Sequence, residues 1–367
     1  MKAITIVGAG ISGLTAAIIL AREGHEVTVL EQKKSIGGAS LHASSVSGRE
    51  VSFADMTPLD LPALGRYLGF PLEPATFCNP LPNLRLRTFG KVMDMPLPAE
   101  VHMKMVERGS RDSSLDNFLY RLAKDSGVRF SFGAPLRTRK DFSGLPPGSI
   151  VATGMFRHAF EALDIPHTPA FGYFAGGSAP EGRSPFCVAY YDDHTHDYAY
   201  YASANGVGAA VLFQRGKPLS VASMSWFPRQ LEADEGLSFS DWNTIEAIAA
   251  TPTGAFSNPR LFCGDLILTG TLAGMQDPSM VLGVHGALVS GRIAAMAVSD
   301  RDRAAREFRR MNRWWKSAYA VRRLLWATHP WGPRRAVPAV LGLMSRVDPR
   351  FLWLLNPAVP GWMRLPQ

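Results

Sequence analysis

Glycines at a spacing that suits phosphate binding lie near the amino terminus of the chain. Gly8, Gly10 and Gly13 follow an apolar run and precede a predicted helix. These positions permit, respectively, a tight turn, a close approach of the backbone to a ligand, and close packing of a helix on a strand. The first helical turn, with Ile11 and Ser12, would offer free N–H groups to an anion. The residue types therefore predict a pyrophosphate site at this turn.

An acidic residue ends the second predicted strand of the same unit. Glu31 stands 18 residues after Gly13 and is followed by Gln32. A carboxylate at this strand tip accepts hydrogen bonds from the ribose hydroxyls of an adenosine and would repel a 2′-phosphate. Strand, turn, helix, strand and acid together favour a dinucleotide site without a 2′-phosphate over a glycine-rich turn in some other α/β unit.

The stretch 31–40 distinguishes between the dinucleotides. It continues from Glu31 through a glycine pair to Ser40. It resembles the extended motif of the FAD-dependent oxidoreductases related to amine oxidases, phytoene desaturases and geranylgeranyl reductases. The resemblance implies that the cofactor is FAD, and that Gly38, Ala39 and Ser40 run beside its diphosphate and ribityl chain.

A short stretch in the middle of the chain extends this resemblance. Ala152, Thr153 and Gly154 follow two apolar residues. They resemble the strand end that passes near FAD in this superfamily. So short a motif also occurs by chance, and it is its order after a predicted helix and strand that supports the assignment.

The stretch 266–295 resembles the distal FAD segment of the geranylgeranyl reductases, in which a strand, a proline loop and a helix follow one another. The resemblance implies that Gly270 ends the strand and that a helix beginning near Gly283 faces the flavin pyrimidine edge, where its positive end stabilises a reduced anion. The family aspartate that holds the ribityl hydroxyls aligns with Thr271. A competing alignment uses Asp265 instead.

Three side chains are candidates for the catalytic residues. His285 lies in the helix expected beside the flavin, where it could donate a proton; a hydrogen-bonded packing residue is the alternative. Tyr198 and Tyr200 are two residues apart and therefore share one face of a predicted strand. They loosely match the aromatic substrate wall of the geranylgeranyl reductases, without its proline, and cross-strand packing is the alternative. The run 192–197 has the wrong spacing for a zinc site and predicts a polar hairpin tip.

Other patterns predict the elements that position these residues. A helix over 114–126 precedes a strand over 128–132, and residues 85–95 predict a hairpin. Further strands are predicted over 48–53, 186–191, 198–203, 208–213 and 219–226.

The expected fold is α/β, of the glutathione-reductase type. A Rossmann-like FAD-binding domain comprises 1–45, 100–165 and 257–300, and an antiparallel β substrate domain comprises 46–99 and 166–256. A helical, basic and aromatic C-terminal extension comprises 301–367.

Charge is concentrated in this extension. Residues 301–367 hold 14 Lys/Arg and 3 Asp/Glu, a net charge of +11, whereas the rest holds 25 and 28, a net charge of −3. The extension also holds six of the eight tryptophans, Trp314, Trp315, Trp326, Trp331, Trp353 and Trp362. Cations interleaved with indoles suit a helix on an anionic membrane surface. Packing on the protein's own fold is the alternative, and nucleic acid is not an expected partner.

Composition limits the classes of protein that fit this sequence. The chain of 367 residues is 46% hydrophobic and 19% charged, which suits one or two globular domains. Its three cysteines are widely spaced, so we expect no disulfide framework and no metal site. Met1 leads almost directly into the first strand, which argues against a signal peptide and for a cytoplasmic protein, peripheral at most on the cytoplasmic membrane face.

The sequence thus predicts an FAD-dependent oxidoreductase that exchanges hydride at flavin N5 with a hydrophobic small molecule and uses an external electron donor or acceptor. Reduction or desaturation of a carbon–carbon double bond of an isoprenoid or lipid is the leading subclass, because the family resemblance and the amphipathic extension agree. The alternatives are a flavin-dependent monooxygenase or halogenase, and a non-catalytic flavoprotein that binds a membrane or a partner.

Overall fold

The computed structural model describes residues 1–36, 53–97, 99–249, 260–277, 281–328 and 331–344. The strands are β1 (Ala3–Val7), β2 (Glu26–Glu31), β3 (Phe53–Pro58), β4 (Cys78–Pro80), β5 (Asn83–Thr88), β6 (Lys91–Pro96), β7 (Met103–Arg108), β8 (Arg129–Phe132), β9 (Ile150–Val151), β10 (Pro169–Ser178), β11 (Phe186–Tyr191), β12 (Tyr198–Ala204), β13 (Val207–Arg215), β14 (Asn243–Ala249), β15 (Phe262–Cys263) and β16 (Leu266–Leu268). The helices are α1 (Ile11–Arg22), α2 (Leu61–Leu68), α3 (Leu115–Asp125), α4 (Arg139–Ser143), α5 (Arg157–Ala162), α6 (Val221–Glu235), α7 (Val284–Ser299), α8 (Arg301–Ala327) and α9 (Trp331–Met344), with 3₁₀ turns at Ala99–Val101 and Gly270–Ala273.

The first sheet is mostly parallel and has the strand order β15-β16-β9-β1-β2-β8. β1 is flanked by β2 and β9, both parallel to it, and only β15 and β16 pair in the antiparallel sense. The strands come from three separated parts of the chain, as expected for the Rossmann-like domain. The predicted α/β fold class is confirmed.

Glycines allow α1 to pack closely against the turn before it and against α7. A Cβ on Gly13 would collide with the carbonyl oxygen of Gly8, and a Cβ on Gly291 would lie 2.6 Å from the carbonyl oxygen of Ser12. The buried Ser290 hydroxyl of α7 accepts a hydrogen bond from the Gly270 N–H at 2.9 Å. The glycine turn, α7 and the Gly270 turn are therefore packed against one another.

The second sheet has the strand order β14-β10-β13-β12-β11-β5-β6. Its pairs are antiparallel apart from β5 with β11. A third sheet, β3-β7-β4, shares a hydrophobic cluster with it, in which Met56 and Met105 meet Leu86 and Ala202. The predicted hairpin over 85–95 and the strands over 186–191, 198–203 and 208–213 are confirmed.

Helix α6 stands where a strand was predicted over 219–226, so that prediction is wrong. The Ser220 hydroxyl caps the helix by accepting the Ser223 N–H at 3.0 Å. Phe227 and Leu231, four residues apart, are buried on the second sheet. The alternation that suggested a strand covers only the first turns, whereas the helical period continues beyond it. The strand predicted over 48–53 falls outside the described residues except for Phe53, where β3 begins.

Each of the segments 46–99 and 100–165 contributes to the packing of more than one sheet, which the sequence did not show. Residues of the loop and helix after β3, among them Leu59, Leu64 and Phe77, pack in the core of the parallel sheet. β7 pairs with β3 and β4 in the third sheet. The domain boundaries themselves stay a prediction.

A buried carboxylate ties α6 to the second sheet. The Glu235 side chain is fully buried, with Arg85 Nη1 at 3.0 Å, Arg87 Nη2 at 2.8 Å and Arg183 Nη1 at 3.1 Å. Asp94, which also pairs with Arg85 at 2.8 Å, is 58% exposed. One acid therefore binds three guanidinium groups, two from β5 and one from the loop between β10 and β11.

Replacing Glu235 should destabilise the fold far more than replacing Asp94. Glu235→Ala leaves the guanidinium groups facing one another without their shared anion, a loss of about 3 kcal/mol or more in the free energy of unfolding. Asp94→Ala removes one exposed pair and should cost less than about 1 kcal/mol. Urea unfolding of the two variants measures both values, and equal losses would contradict this account of the cluster.

The carboxyl-terminal helices pack partly on the body of the protein. Ala304, Phe308 and Met311 on the first half of α8 are buried in the core of the parallel sheet. In α9, Arg334 lies 3.5 Å from Asp193 and 5.9 Å from the ring centroid of Phe89. Among the helices of the described residues, none is long and apolar enough to cross a bilayer.

Candidate functional site

A cavity of about 300 Å³ lies at the carboxyl ends of the parallel strands and reaches the second sheet. Val7, Glu31, Ala152 and Gly270, at the ends of β1 and β2 and just beyond β9 and β16, line its first half. The carboxyl edge of a parallel sheet is where such folds bind ligands. The second half is lined by β3, β7 and strands of the second sheet.

The glycine turn has the geometry of a diphosphate cradle. Gly8 has a φ of +102°, which favours glycine, and Gly13 packs against the turn rather than lining the cavity. Apart from its chain neighbours, none of the described residues lies within 4 Å of a Cβ built on Gly10, and Gly10 lines the cavity. Gly10 caps the amino terminus of α1, beside Ile11 and Ser12 in the cavity wall. The space above Gly10 therefore suits an anion held by the first turn of the helix.

Glu31 is held in place by the turn it faces. Its Oε2 accepts the Ala9 N–H at 2.8 Å, and its Oε1 accepts the Lys33 N–H at 2.9 Å. Glu31 and Gln32 both line the cavity. Each carboxylate oxygen can accept a further hydrogen bond, so the group is fixed in position and can still bind a ribose.

The other predicted cofactor contacts gather at the same edge of the sheet. Lining residues include Ala152, Thr153, Gly154, Gly270, Thr271 and Gly283. Gly283 precedes the first turn of α7, so two helices begin at the cavity. Gly38, Ala39 and Ser40 lie outside the described residues.

The two alignments of the distal segment place their polar residue at opposite ends of β16. Thr271 follows the strand and lines the cavity. Asp265 precedes it in the exposed turn between β15 and β16, where its carbonyl oxygen accepts the Gly148 N–H at 2.9 Å. Of the two, only Thr271 faces the cavity among the described residues.

His285 does not line the cavity, in contrast to the expectation for a catalytic residue. The lining residues of α7 are Val284 and Ala287, three apart on one face, and the helical period turns His285 away from them. Its side chain is buried, and burial lowers its pKa well below the usual range. His285 is therefore a neutral residue of the helix packing.

Tyr198 and Tyr200 face the cavity from β12, as their spacing predicts. Their ring centroids are 5.9 Å apart, and both rings line the second half of the cavity. Burial raises the pKa of both phenols well above the usual range. They remain neutral and can offer an aromatic face or a hydroxyl to a bound molecule.

The second half of the cavity holds a charged pair that the sequence did not indicate. Asp55 on β3 and Arg108 on β7 both line it, with Arg108 Nη1 3.6 Å from Asp55 Oδ2. Burial raises the pKa of Asp55 to about 6; Arg108 acts in the opposite direction and Asp116 in the same direction. The two residues are 53 positions apart and carry no motif, so only the β3–β7 pairing reveals them.

The acidic and histidine-rich run 192–197 is the turn between β11 and β12, as predicted. Its last acid, Asp197, is buried and accepts hydrogen bonds from the Arg215 N–H at 2.7 Å and from the Arg215 guanidinium at 3.1 and 3.2 Å. This carboxylate therefore fixes the turn to β13.

Known proteins resemble the part of the chain that supplies the glycine turn and Glu31 to the first half of the cavity. A family model described as an NAD(P)-binding Rossmann-like domain matches residues 6–55. The L-amino-acid oxidase of Bothrops pauloensis is 46% identical over 61 residues, and that of Sistrurus catenatus edwardsii is 43% identical over 65. The matched parts are 17% and 18% of this chain but only 12% of each oxidase.

Solved structures match nearly the whole chain. The flavin-dependent brominase Bmp2 has a TM-score of 0.62 at 15% identity, covering 94% of this chain and 92% of its own. p-Nitrophenol 4-monooxygenase PnpA from Pseudomonas putida DLL-E4 has a TM-score of 0.62 at 14% identity, covering 98% and 99%. A geranylgeranyl bacteriochlorophyll reductase-like protein from Thermoplasma acidophilum has a TM-score of 0.56 at 15% identity, covering 96% and 90%. Residues 6–55 are thus similar to NAD(P)-binding Rossmann-like domains, and the chain shares its fold with a flavin-dependent brominase and a p-nitrophenol 4-monooxygenase.

Proposed function

We propose that this protein is an FAD-dependent oxidoreductase that acts on an apolar small molecule. The observation that carries the proposal is that one cavity joins both parts of the site. A dinucleotide cradle forms one end of it, and an aromatic chamber lined by Tyr198, Tyr200 and Phe213 forms the other. A redox cofactor bound in the first half would end where a substrate in the second half begins.

The described residues fit FAD. The open space above Gly10 and the first turn of α1 would take the diphosphate, and Glu31 would take the adenosine ribose. Thr271 and the amino terminus of α7 would hold the part of the cofactor nearest the second sheet. When bound, the flavin supplies two-electron chemistry by hydride exchange at N5.

The protein's own groups in the second half bind and orient rather than react. Tyr198, Tyr200, Phe213 and Val211 form an apolar wall that excludes water from a bound substrate. Neutral phenols add hydrogen-bonding groups without adding charge. The arrangement suits a hydrophobic molecule placed against the flavin.

For the reaction itself, reduction or desaturation of a carbon–carbon double bond of an isoprenoid or lipid is our leading proposal. The apolar wall and the resemblance of the distal segment to the geranylgeranyl reductases support it. Oxygen-dependent hydroxylation or halogenation is the second candidate. The whole-chain likeness to a brominase and a monooxygenase favours it, since both have a TM-score of 0.62 against 0.56 for the reductase-like protein.

The compound that reoxidises the reduced flavin distinguishes these reactions. We expect the yellow protein to be bleached by dithionite under argon and to regain its colour on addition of geranylgeraniol, with loss of one double bond from the alcohol. A protein that regains colour only with oxygen, and consumes it in proportion to a substrate, would be a monooxygenase or halogenase. A flavin that cannot be bleached would contradict the enzymatic proposal and favour a binding protein.

We further propose that the carboxyl-terminal helices bring the protein to an anionic membrane surface. The net charge of +11 over 301–367 supports this. So do large exposed apolar side chains on α8 and α9, namely Leu324, Trp331 and Leu343, which are 73%, 60% and 54% exposed. Exposed apolar groups among cations are what an interfacial helix inserts between lipid headgroups.

A further inference from the structure

The charged pair of Asp55 and Arg108 differs from an ordinary ion pair, because Arg108 is already paired with another acid. Arg108 is bound elsewhere: its Nε lies 2.8 Å and its Nη2 3.0 Å from the two carboxylate oxygens of Asp116. Asp116 is buried and also accepts the Gly109 N–H at 3.1 Å. This two-pronged pairing fixes the guanidinium plane and uses two of its five N–H donors.

The guanidinium nitrogen of Arg108 that does not bind Asp116, Nη1, lies nearest to Asp55. Its distance of 3.6 Å from the Asp55 carboxylate is too long for a hydrogen bond, so the two groups attract each other but do not saturate each other. The Asp55 side chain is 29% exposed and lines the cavity, so its carboxylate is accessible to a bound molecule. Phe53 lies beneath the guanidinium, with its ring centroid 5.6 Å away, and closes the other side.

The electrostatics of the chamber disfavour an anionic ligand group and favour a hydrogen-bond donor. With Asp55 ionised, Asp55, Asp116 and Arg108 sum to one negative charge in a mostly apolar wall. A substrate carboxylate placed there would be repelled, whereas a hydroxyl would donate to Asp55 in a charge-assisted hydrogen bond. The groups that face Asp55 from the surrounding elements are Arg108, Asp116, Cys187, Tyr198 and Tyr200.

We infer that Asp55 is a substrate-binding residue that selects an apolar molecule carrying a hydroxyl group and excludes the corresponding carboxylate. Arg108 and Asp116 are positioning residues, since their paired side chains fix the guanidinium charge beside the Asp55 carboxylate. The inference rests on the proposed function for its view that the chamber is the substrate end of the cavity.

Matched aromatic probes test this selectivity on the FAD-loaded protein. We expect 2-naphthol to bind at least about tenfold more tightly than 2-naphthoate near pH 7.5, as measured by the change in flavin absorbance. Asp55→Asn keeps the size of the side chain but removes its charge, so the preference should fall to near unity. Asp94→Asn, an exposed acid outside the cavity, is the control and should retain it.

A second measurement requires no variant. 2-Naphthoate stays ionised between about pH 5 and 8. Its binding to the wild type should therefore strengthen as the pH falls through about 6, where Asp55 takes up a proton, while 2-naphthol loses affinity. In Asp55→Asn both dependences should vanish.

The outcomes separate the two proposals. A yellow protein that can be reduced, but binds the two probes equally at pH 7.5 or shows the same preference in Asp55→Asn, would overturn the role of Asp55 alone. A protein that purifies without flavin and takes none up would overturn the proposed function. An amine probe, 2-naphthylmethylamine, that binds more tightly than 2-naphthol would also overturn the choice of a hydroxyl.

Discussion

The Gly10→Val protein is expected to fold normally and to purify without colour. Among the described residues other than its two chain neighbours, no heavy atom lies within 4 Å of the position that a Cβ would take, so this part of the fold has room for the new side chain. That room is the proposed place of the FAD diphosphate, and the valine methyl groups would occupy it. Flavin absorbance per chain is the measurement, with circular dichroism to verify the fold.

Gly177→Val is the matched control for this variant. Gly177 is also a non-helical glycine with open space at its Cβ position, but it lies at the end of β10, outside the cavity wall. It should keep its flavin. If Gly10→Val also keeps a full complement of FAD, the diphosphate lies elsewhere and the placement of the cofactor is wrong.

The cofactor half of the cavity could be predicted because its determinants are local in sequence. Gly8, Gly10 and Gly13 act within one turn, and their roles follow from backbone conformation and the absence of a Cβ. Glu31 is reached by one helix and one strand, a connection of nearly fixed geometry. Thr271 and Ala152 depended on family resemblance, since a short strand end has no chemistry of its own.

The substrate half could not be predicted in the same way. Asp55 and Arg108 meet because β3 and β7 are antiparallel neighbours, and nothing near either residue marks the pairing. An isolated aspartate in a strand predicts only a polar position on a sheet. Its altered pKa comes from burial by strands far away in the chain, which composition and spacing do not contain.

Two further differences between the sequence prediction and the structure have a common physical origin. α6 begins with a segment whose apolar residues alternate, so its first turns resemble a strand until Phe227 and Leu231 show the helical period. His285 was predicted from its position in a helix near the flavin, but position along a helix does not fix which face points to the ligand. In both cases tertiary contacts, which the local pattern does not contain, determine the outcome.

Replacing Leu324, Trp331 and Leu343, large exposed apolar side chains among the described residues of the extension, by glutamate is expected to abolish binding to anionic liposomes. The wild type should float with vesicles of mixed phosphatidylcholine and phosphatidylserine at low salt, because several cations each contribute about 1 kcal/mol near such a surface. High salt should release it through screening. Leu324→Glu/Trp331→Glu/Leu343→Glu removes the inserted groups and adds three negative charges, so this variant should remain at the bottom of the gradient.

Substitution is a sharper test than removing the extension, because Ala304, Phe308 and Met311 are buried and their loss would uncover α7. Val221→Glu is the control: Val221 is 75% exposed but lies on α6, so its replacement should leave flotation unchanged. If the triple variant floats as the wild type does, or if the wild type does not float at low salt, the exposed face of α8 and α9 does not bind membranes. The contact of Arg334 with Asp193 and Phe89 would then be the main role of α9, which would pack as a structural element against the second sheet.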